Sequence, residues 1–334
     1  MERDLESTRR LSLPLWAALL LACLPTPRAE AALKKVCYAP LWSPQAQFAG
    51  YYMAYEKGFY AKRGLEVSLL EGGPEMAADA MLTARKADFG TLWLSEALKL
   101  RSRGVRMVNL AQTSQTSALV LVAKRASGIE TPQDLQGRKV GLWENFQLQP
   151  RAFFRKYGLR VKEVRQSHSV DLFLRGGVDA ASAMIYNEYH TMINSGLEPG
   201  EMTVFRFDEH GLNFPEDGIY MLEDAYAKDP ARACAFARAT LEGWAYAFAH
   251  PEETVQAVLR RQQAAHIPAN EAHQRWMLDR MQELARDRAS GVATGKLKPE
   301  DYRNVAKAMS ESGLIAGAPD YRAFVAPCPD RDEE

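Results

Sequence analysis

Short apolar runs and amphipathic stretches alternate along this chain, and the alternation runs through twice. That grammar limits the fold more than any single motif does. In the first passage Val36–Ala39, Glu66–Leu70, Asp88–Thr91, Arg106–Gln112 and Ala118–Ala123 read as strands. Between them helices are expected over Gln45–Arg63, closed by Gly64, over Glu75–Lys86, opened by Gly72-Gly73-Pro74, and over Leu94–Ser102, stopped by Gly104. The second passage repeats the order. Lys139–Leu142, Val161–Val164, Ala180–Ile185 and Thr203–Phe207 read as strands, with helices over Gln149–Tyr157, Val170–Leu174 and Glu188–Asn194. A βαβα order implies a parallel sheet with helices on both faces. One local match ties the passages together: Ala84-Arg-Lys-Ala-Asp88 and Arg175-Gly-Gly-Val-Asp179 each read as a helix end, a turn and an Asp opening a strand. The reading is two similar α/β lobes. Lobe one takes about 35–122 and 218–327, lobe two about 123–217, with crossings near Ala123–Lys124 and Gly218–Tyr220, and 328–334 is a loose acidic tail. After about Met221 the pattern is helical: Pro230–Ala249, Pro251–Arg261, Ala269–Ala285 and Pro299–Glu311.

The start of the chain reads as separate from this fold. Arg9 and Arg10 precede an apolar run over Leu11–Leu24, shorter than the ~20 residues of a membrane span, and Ala29-Glu30-Ala31 suits cleavage. Residues 1–31 therefore read as a secretory signal peptide, which places the protein in the periplasm. Two variants stay open: Leu20-Leu21-Ala22-Cys23 resembles a lipobox that would anchor Cys23, and Thr8-Arg9-Arg10-Leu11 loosely resembles a twin-arginine signal. Export means an oxidising compartment. Cys37, Cys234 and Cys328 then allow one disulfide, of open pairing, or three buried thiols. Lys+Arg and Asp+Glu are both 42, and a neutral chain lacks the basic surface that nucleic-acid binding needs. No nucleic-acid partner is expected.

Catalytic signatures are absent. There is no GxGxxG, no Walker loop, no HExxH and no GxSxG. Gly291-Val-Ala-Thr-Gly295-Lys296 falls one residue short of a phosphate loop, and Leu297 stands where Ser or Thr is needed. The six His residues show no clustering in sequence, so structural or solvent roles are expected for them. Neither a cofactor nor a metal is expected, and no enzymatic activity.

In open α/β sheets ligands bind beyond the carboxyl ends of strands. Those ends are unusually aromatic and polar here: Trp42-Ser-Pro-Gln45, Trp93, Gln115, Trp143-Glu-Asn145 and Tyr186-Asn-Glu188. Aromatic faces with amide and carboxylate edges suit a small, planar, polar ligand. Trp42, Tyr186 and Glu188 are the leading candidates, with Gln45, Trp93, Gln115 and Asn145 behind them. Phe48, Tyr51, Tyr52 and Tyr55 lie at helical spacing and read as packing.

The run from Trp42 to Tyr52, with Lys57-Gly-Phe-Tyr-Ala-Lys-Arg-Gly-Leu, Glu71-Gly-Gly-Pro, Thr131-Pro-Gln-Asp-Leu-Gln-Gly-Arg-Lys-Val-Gly and Tyr186-Asn-Glu, resembles the periplasmic solute-binding proteins related to the yeast thiamine-pyrimidine synthase. The resemblance covers roughly residues 35–250. It implies a type II periplasmic binding protein fold, with two α/β lobes, a ligand cleft and a helical C-terminal region. It also implies an ATP-binding cassette (ABC) importer whose permease is the partner, and a small heteroaromatic solute, foremost a thiamine pyrimidine precursor such as formylaminopyrimidine; other members take riboflavin. In pyrimidine-binding relatives aromatic side chains stack on the ring and an acid pairs with its amidine edge, and Trp42, Tyr186 and Glu188 stand at the matching positions. Contact with a membrane would come only through the permease or an anchor at Cys23. Two alternatives follow the same resemblance: a pyrimidine-synthesis enzyme, against which the missing Cys-rich iron-binding run counts, and a ligand sensor serving a membrane kinase.

Overall fold

A computed structural model describes residues 32–287 and 290–328 of the chain. The signal peptide expected over residues 1–31, Cys23 with it, and positions 329–334 of the tail lie outside the described residues.

The first passage folds as β1 (Lys34–Ala39), α1 (Ala49–Glu56), β2 (Leu65–Leu69), α2 (Ala78–Thr83), β3 (Phe89–Leu92), α3 (Leu94–Ser102) and β4 (Met107–Gln112). The expected long helix over Gln45–Arg63 is broken. Gly58 adopts a left-handed φ of 68° just after α1, and a second turn over Ala61–Arg63 restarts the chain toward β2. The second passage folds as β5 (Leu119–Lys124), β6 (Lys139–Trp143), α4 (Leu148–Lys156), β7 (Lys162–Gln166), α5 (Asp171–Leu174), β8 (Ala180–Met184), α6 (Glu188–Asn194) and β9 (Met202–Arg206). Then come β10 (Gly218–Leu222) and the helices α7 (Glu223–Lys228), α8 (Pro230–Ala249), α9 (Pro251–Ala264), α10 (Glu271–Leu284), α11 (Pro299–Glu311) and α12 (Tyr321–Phe324). Proline opens α8, α9 and α11. Asp229 and Asn270 cap α8 and α10, each side chain accepting a backbone N–H three residues on.

The strands form two five-stranded sheets, ordered β2-β1-β3-β10-β4 and β7-β6-β8-β5-β9. Two expectations are corrected here. Neither sheet is wholly parallel: β10 runs antiparallel to β3 and β4, and β5 antiparallel to β8 and β9. And β5, expected to close lobe one, is an inner strand of the second sheet, so the first crossing lies over 113–118, before it, instead of near Ala123–Lys124. Likewise the residues expected as the second crossing, Gly218–Tyr220, open an inner strand of the first sheet. The physical reason is common to both. A strand leaving one sheet directly for the other arrives from the opposite side and pairs antiparallel. An all-apolar run such as Leu-Val-Leu-Val-Ala carries no mark of which sheet receives it.

The matched Asp residues do the same work in both sheets. Asp88 accepts the Cys37 N–H at 2.8 Å, and its own N–H bonds the Cys37 carbonyl. Asp179 accepts the Lys139 N–H at 2.8 Å, and its N–H bonds the Lys139 carbonyl. Each returning strand is thereby locked in register beside a parallel neighbour, β3 beside β1 and β8 beside β6.

The crossings are laced together. Buried Glu216 accepts the Ser117 hydroxyl at 2.8 Å and the Ala118 N–H at 2.9 Å. The Thr113 hydroxyl donates to the Asp217 carbonyl at 2.6 Å. Behind the first sheet, α1 packs along α8, where Gly50 and Gly243 let the helices approach; a Cβ on Gly243 would lie 2.1 Å from the Gly50 carbonyl oxygen. Cys234 of α8 is disulfide-bonded to Cys328, and Cys37 is free. The first residue of the expected loose tail is thus fastened to lobe one, where the Tyr226 hydroxyl also holds the Pro327 carbonyl at 2.9 Å. Among the described residues no helix is long and apolar enough to cross a membrane.

Candidate functional site

The loops beyond the carboxyl ends of β1, β2, β6, β7 and β8, with α3 after β3, turn toward one another between the two sheets. They line an open-sided cavity of about 440 Å³. Lobe one contributes Trp42, Gln45 and Gln47, with the charged side chains Asp79, Glu96, Lys99 and Arg103 of α2, α3 and the turn after it, and lobe two contributes Trp143, Asn145, His168, Tyr186 and Glu188. The extended backbone of Gln45 and the turn over Ala46–Phe48 set the lobe-one wall. The sharp chain reversal at Asn187, before α6, sets the lobe-two wall.

Of the residues expected to bind, Trp42, Gln45, Asn145, Tyr186 and Glu188 line this one cavity. Two do not. Trp93 packs its ring on Phe146, centroids 4.1 Å apart, and faces a second cavity of about 440 Å³ beyond that contact, bounded by α3, α4 and the end of α11. Gln115 lies buried in the first crossing. Its amide donates to the Gln112 carbonyl at 2.9 Å and the Lys296 carbonyl at 3.2 Å, so it is structural. Among the described residues Trp42 meets His168 edge-on at 4.8 Å, and no ring contact joins it to Tyr186. The aromatic pair spanning the cavity is therefore an indole and an imidazole. His168 lies two residues past the end of β7, so the strand-end rule points to it as well.

Glu188 is the chemical centre of the lobe-two wall. One carboxylate oxygen accepts the Met184 N–H at 2.9 Å and the other accepts the Asn187 amide at 2.8 Å. Burial pushes its carboxyl up to about 7 against these hydrogen bonds. Each oxygen retains a lone pair beyond those two bonds. Tyr186, next to it, has its hydroxyl pushed up by burial and by the Asp217, Glu216 and Glu188 carboxylates.

Both walls are braced by the C-terminal helices, a link that sequence spacing does not show. From α9, Gln262 donates to the Pro44 carbonyl at 3.0 Å, and from α10, Gln274 accepts the Ala46 N–H at 2.8 Å. Within the same turn of α10, Trp276 donates to the Ile185 carbonyl at 3.2 Å and the His273 ring bonds the side-chain amide oxygen of Asn187 at 2.9 Å. His190 stands 2.8 Å from His273, so two of the six His residues do meet in space although they lie far apart in sequence. Asn187 is thereby set with its amide toward Glu188.

Comparisons with known proteins agree with this architecture. A family model described as NMT1/THI5 like matches residues 45–254. The chain is 26% identical over 240 residues to the riboflavin-binding protein RibY of Chloroflexus aurantiacus, covering 69% of this chain and 67% of RibY. It is 24% identical over 238 residues to the formylaminopyrimidine-binding protein of Halalkalibacterium halodurans, covering 68% and 70%. The periplasmic aliphatic sulphonate binding protein SsuA from Escherichia coli superposes with a TM-score of 0.68 at 16% identity, over 90% of this chain and 94% of that one. The fold is that of the periplasmic binding proteins.

Proposed function

The chain belongs to the NMT1/THI5-like family, and from that premise we propose that it is an exported, non-catalytic solute-binding protein. It takes a thiamine pyrimidine precursor such as formylaminopyrimidine and delivers it to the permease of an ABC importer. One observation carries the reading: a buried carboxyl, Glu188, on the wall of an inter-lobe cavity that indole, imidazole and phenol rings line. Rings from both lobes give a planar heterocycle faces to stack on. A carboxyl held near pH 7 pairs with the N–C–NH₂ edge of an aminopyrimidine through two hydrogen bonds and one shared proton. Because Trp42 and His168 come from different lobes, a ring seated beside them favours the closed form, and a ligand shifts that equilibrium by its differential affinity for the two forms.

The test is calorimetry with formylaminopyrimidine and with riboflavin. Tight binding of the first and weak binding of the second is the expected result. Preference for riboflavin would move the ligand to a different heteroaromatic class. Formation of a pyrimidine product in a single turnover with pyridoxal phosphate and iron would replace the binding reading with an enzymatic one.

A further inference from the structure

A chain of three side chains runs from the second crossing to the cavity. Asp217 lies 3% exposed, at a left-handed φ of 54° that a residue other than glycine seldom adopts. The Gln47 amide nitrogen lies 3.0 Å from each of its carboxylate oxygens. Gln47 in turn accepts from the Gln45 amide at 2.6 Å. Gln45 lines the cavity.

The direction of these bonds follows from the first of them. An ionised carboxylate only accepts, so Gln47 must turn its NH₂ to Asp217 and its oxygen to Gln45. Gln45 must then turn its NH₂ to Gln47. Its oxygen is the end left for a ligand. We propose that Asp217 is a positioning residue that sets the polarity of this chain, so that Gln45 presents a hydrogen-bond acceptor and the site selects heteroaromatic solutes with an N–H donor toward lobe one. This deepens the proposed function and rests on it, because it assumes that the cavity seats such a solute.

The charge that sets the direction can be removed. Burial pushes the Asp217 carboxyl up to about 7, opposed by the Gln47 hydrogen bond. The titratable groups facing it are Glu216 beside it, Tyr51 on α1 and Tyr186 after β8. None of these is a cation. Once protonated, the carboxyl both donates and accepts, and either direction of the chain is allowed.

The test compares formylaminopyrimidine with the formate ester in which oxygen replaces its amide N–H, by calorimetry at pH 8. The wild type prefers the amide. Asp217→Asn, whose own amide serves either direction, lowers that preference about tenfold, the scale of one lost hydrogen bond. The double variant Asp217→Asn/Gln47→Glu moves the carboxylate one step along the chain, leaves Gln45 oriented as before, and restores the preference. An unchanged preference in Asp217→Asn, or a double variant no better than the single one, overturns the proposal. A second readout needs no ligand. The side-chain amide signals of Gln45 and Gln47 in nuclear magnetic resonance spectra follow one common titration near pH 7 in the wild type and are flat in Asp217→Asn. If neither probe binds and the two signals still titrate together, the solute class is wrong and the polarity chain stands. Independent behaviour of the two signals overturns the chain itself.

Discussion

The two lobes share a plan and differ in what supports it. Reading across, β2-β1-β3-β10-β4 corresponds to β7-β6-β8-β5-β9, with the strand received from the other lobe fourth in each order and antiparallel to its neighbours. Asp88 and Asp179 occupy equivalent places with matching hydrogen bonds. Lobe one is backed by α8 and stapled by a disulfide. Lobe two ends on β7, whose residues are largely exposed or half-buried. The chemistry divides as well. The better-braced lobe contributes Trp42, two glutamine amides and the charged side chains Asp79, Glu96, Lys99 and Arg103, and the lighter one contributes Trp143 and Asn145 with the buried carboxyl, the phenol and the imidazole. A repeated scaffold therefore places loops at equivalent positions while leaving each loop free to carry different chemistry.

The largest test of this asymmetry removes the staple. The disulfide joins residues 94 apart, and closing a loop of that length restricts the unfolded chain strongly. Cys234→Ser is expected to cost about 2–5 kcal/mol. Denaturant melts should show lobe one losing stability relative to lobe two, as a second, earlier transition or a broadened one. A loss under about 1 kcal/mol would mean that the segment from Val325 to Cys328 is held by its backbone hydrogen bonds instead.

The next test acts on the lobe-two wall. In Glu188→Gln the new NH₂ must face either the Met184 N–H or the Asn187 amide, whichever way it turns, since each now donates to a different oxygen. Losing a hydrogen bond to a charged group costs about 1.5–3 kcal/mol, or about 10- to 150-fold in affinity for formylaminopyrimidine. The pH dependence follows from the carboxyl held near 7. Below about 7 the free site already carries the shared proton. Above it, binding must take a proton up, so affinity falls as pH rises. Glu188→Gln abolishes that fall. Wild-type calorimetry that stays flat from pH 7 to 9 would show that no proton is shared there.

Much of this was legible in the sequence, and the failures have physical causes. α3, α6, α8 and α11 fall on the residues their start and stop signals mark. The Asp88 and Asp179 parallel was visible because both sit at a helix-to-strand turn, where local rules act. Strand ownership was not legible. β5 and β10 are chosen by pairing partners far away in sequence, and an apolar run is equally at home in either sheet. The strand-end rule brought five of the seven candidate residues to one cavity. It failed for Gln115, which follows a strand that leads into a crossing, and for Trp93, whose ring turns onto Phe146. The bracing by Gln262, Gln274, His273 and Trp276 links positions about 90 to 230 residues apart in sequence and leaves no local trace.

The smallest expected difference is between the two equivalent aspartates. Asp179→Ala removes one side-chain hydrogen bond to the Lys139 N–H, which should cost about 1 kcal/mol. Asp88→Ala removes the equivalent bond to the Cys37 N–H and also an ion pair with Arg232 of α8 at 3.3 Å. Both partners of that pair are only partly buried, so it adds a few tenths to about 1 kcal/mol. Asp88→Ala should therefore destabilise more, and raised salt should narrow the gap by screening the ion pair and leaving the backbone bond in place. Urea melts of both variants at low and high salt measure this directly. If Asp179→Ala cost more, or the gap ignored salt, the α8 ion pair would contribute nothing, and the advantage of lobe one would rest on packing and the disulfide.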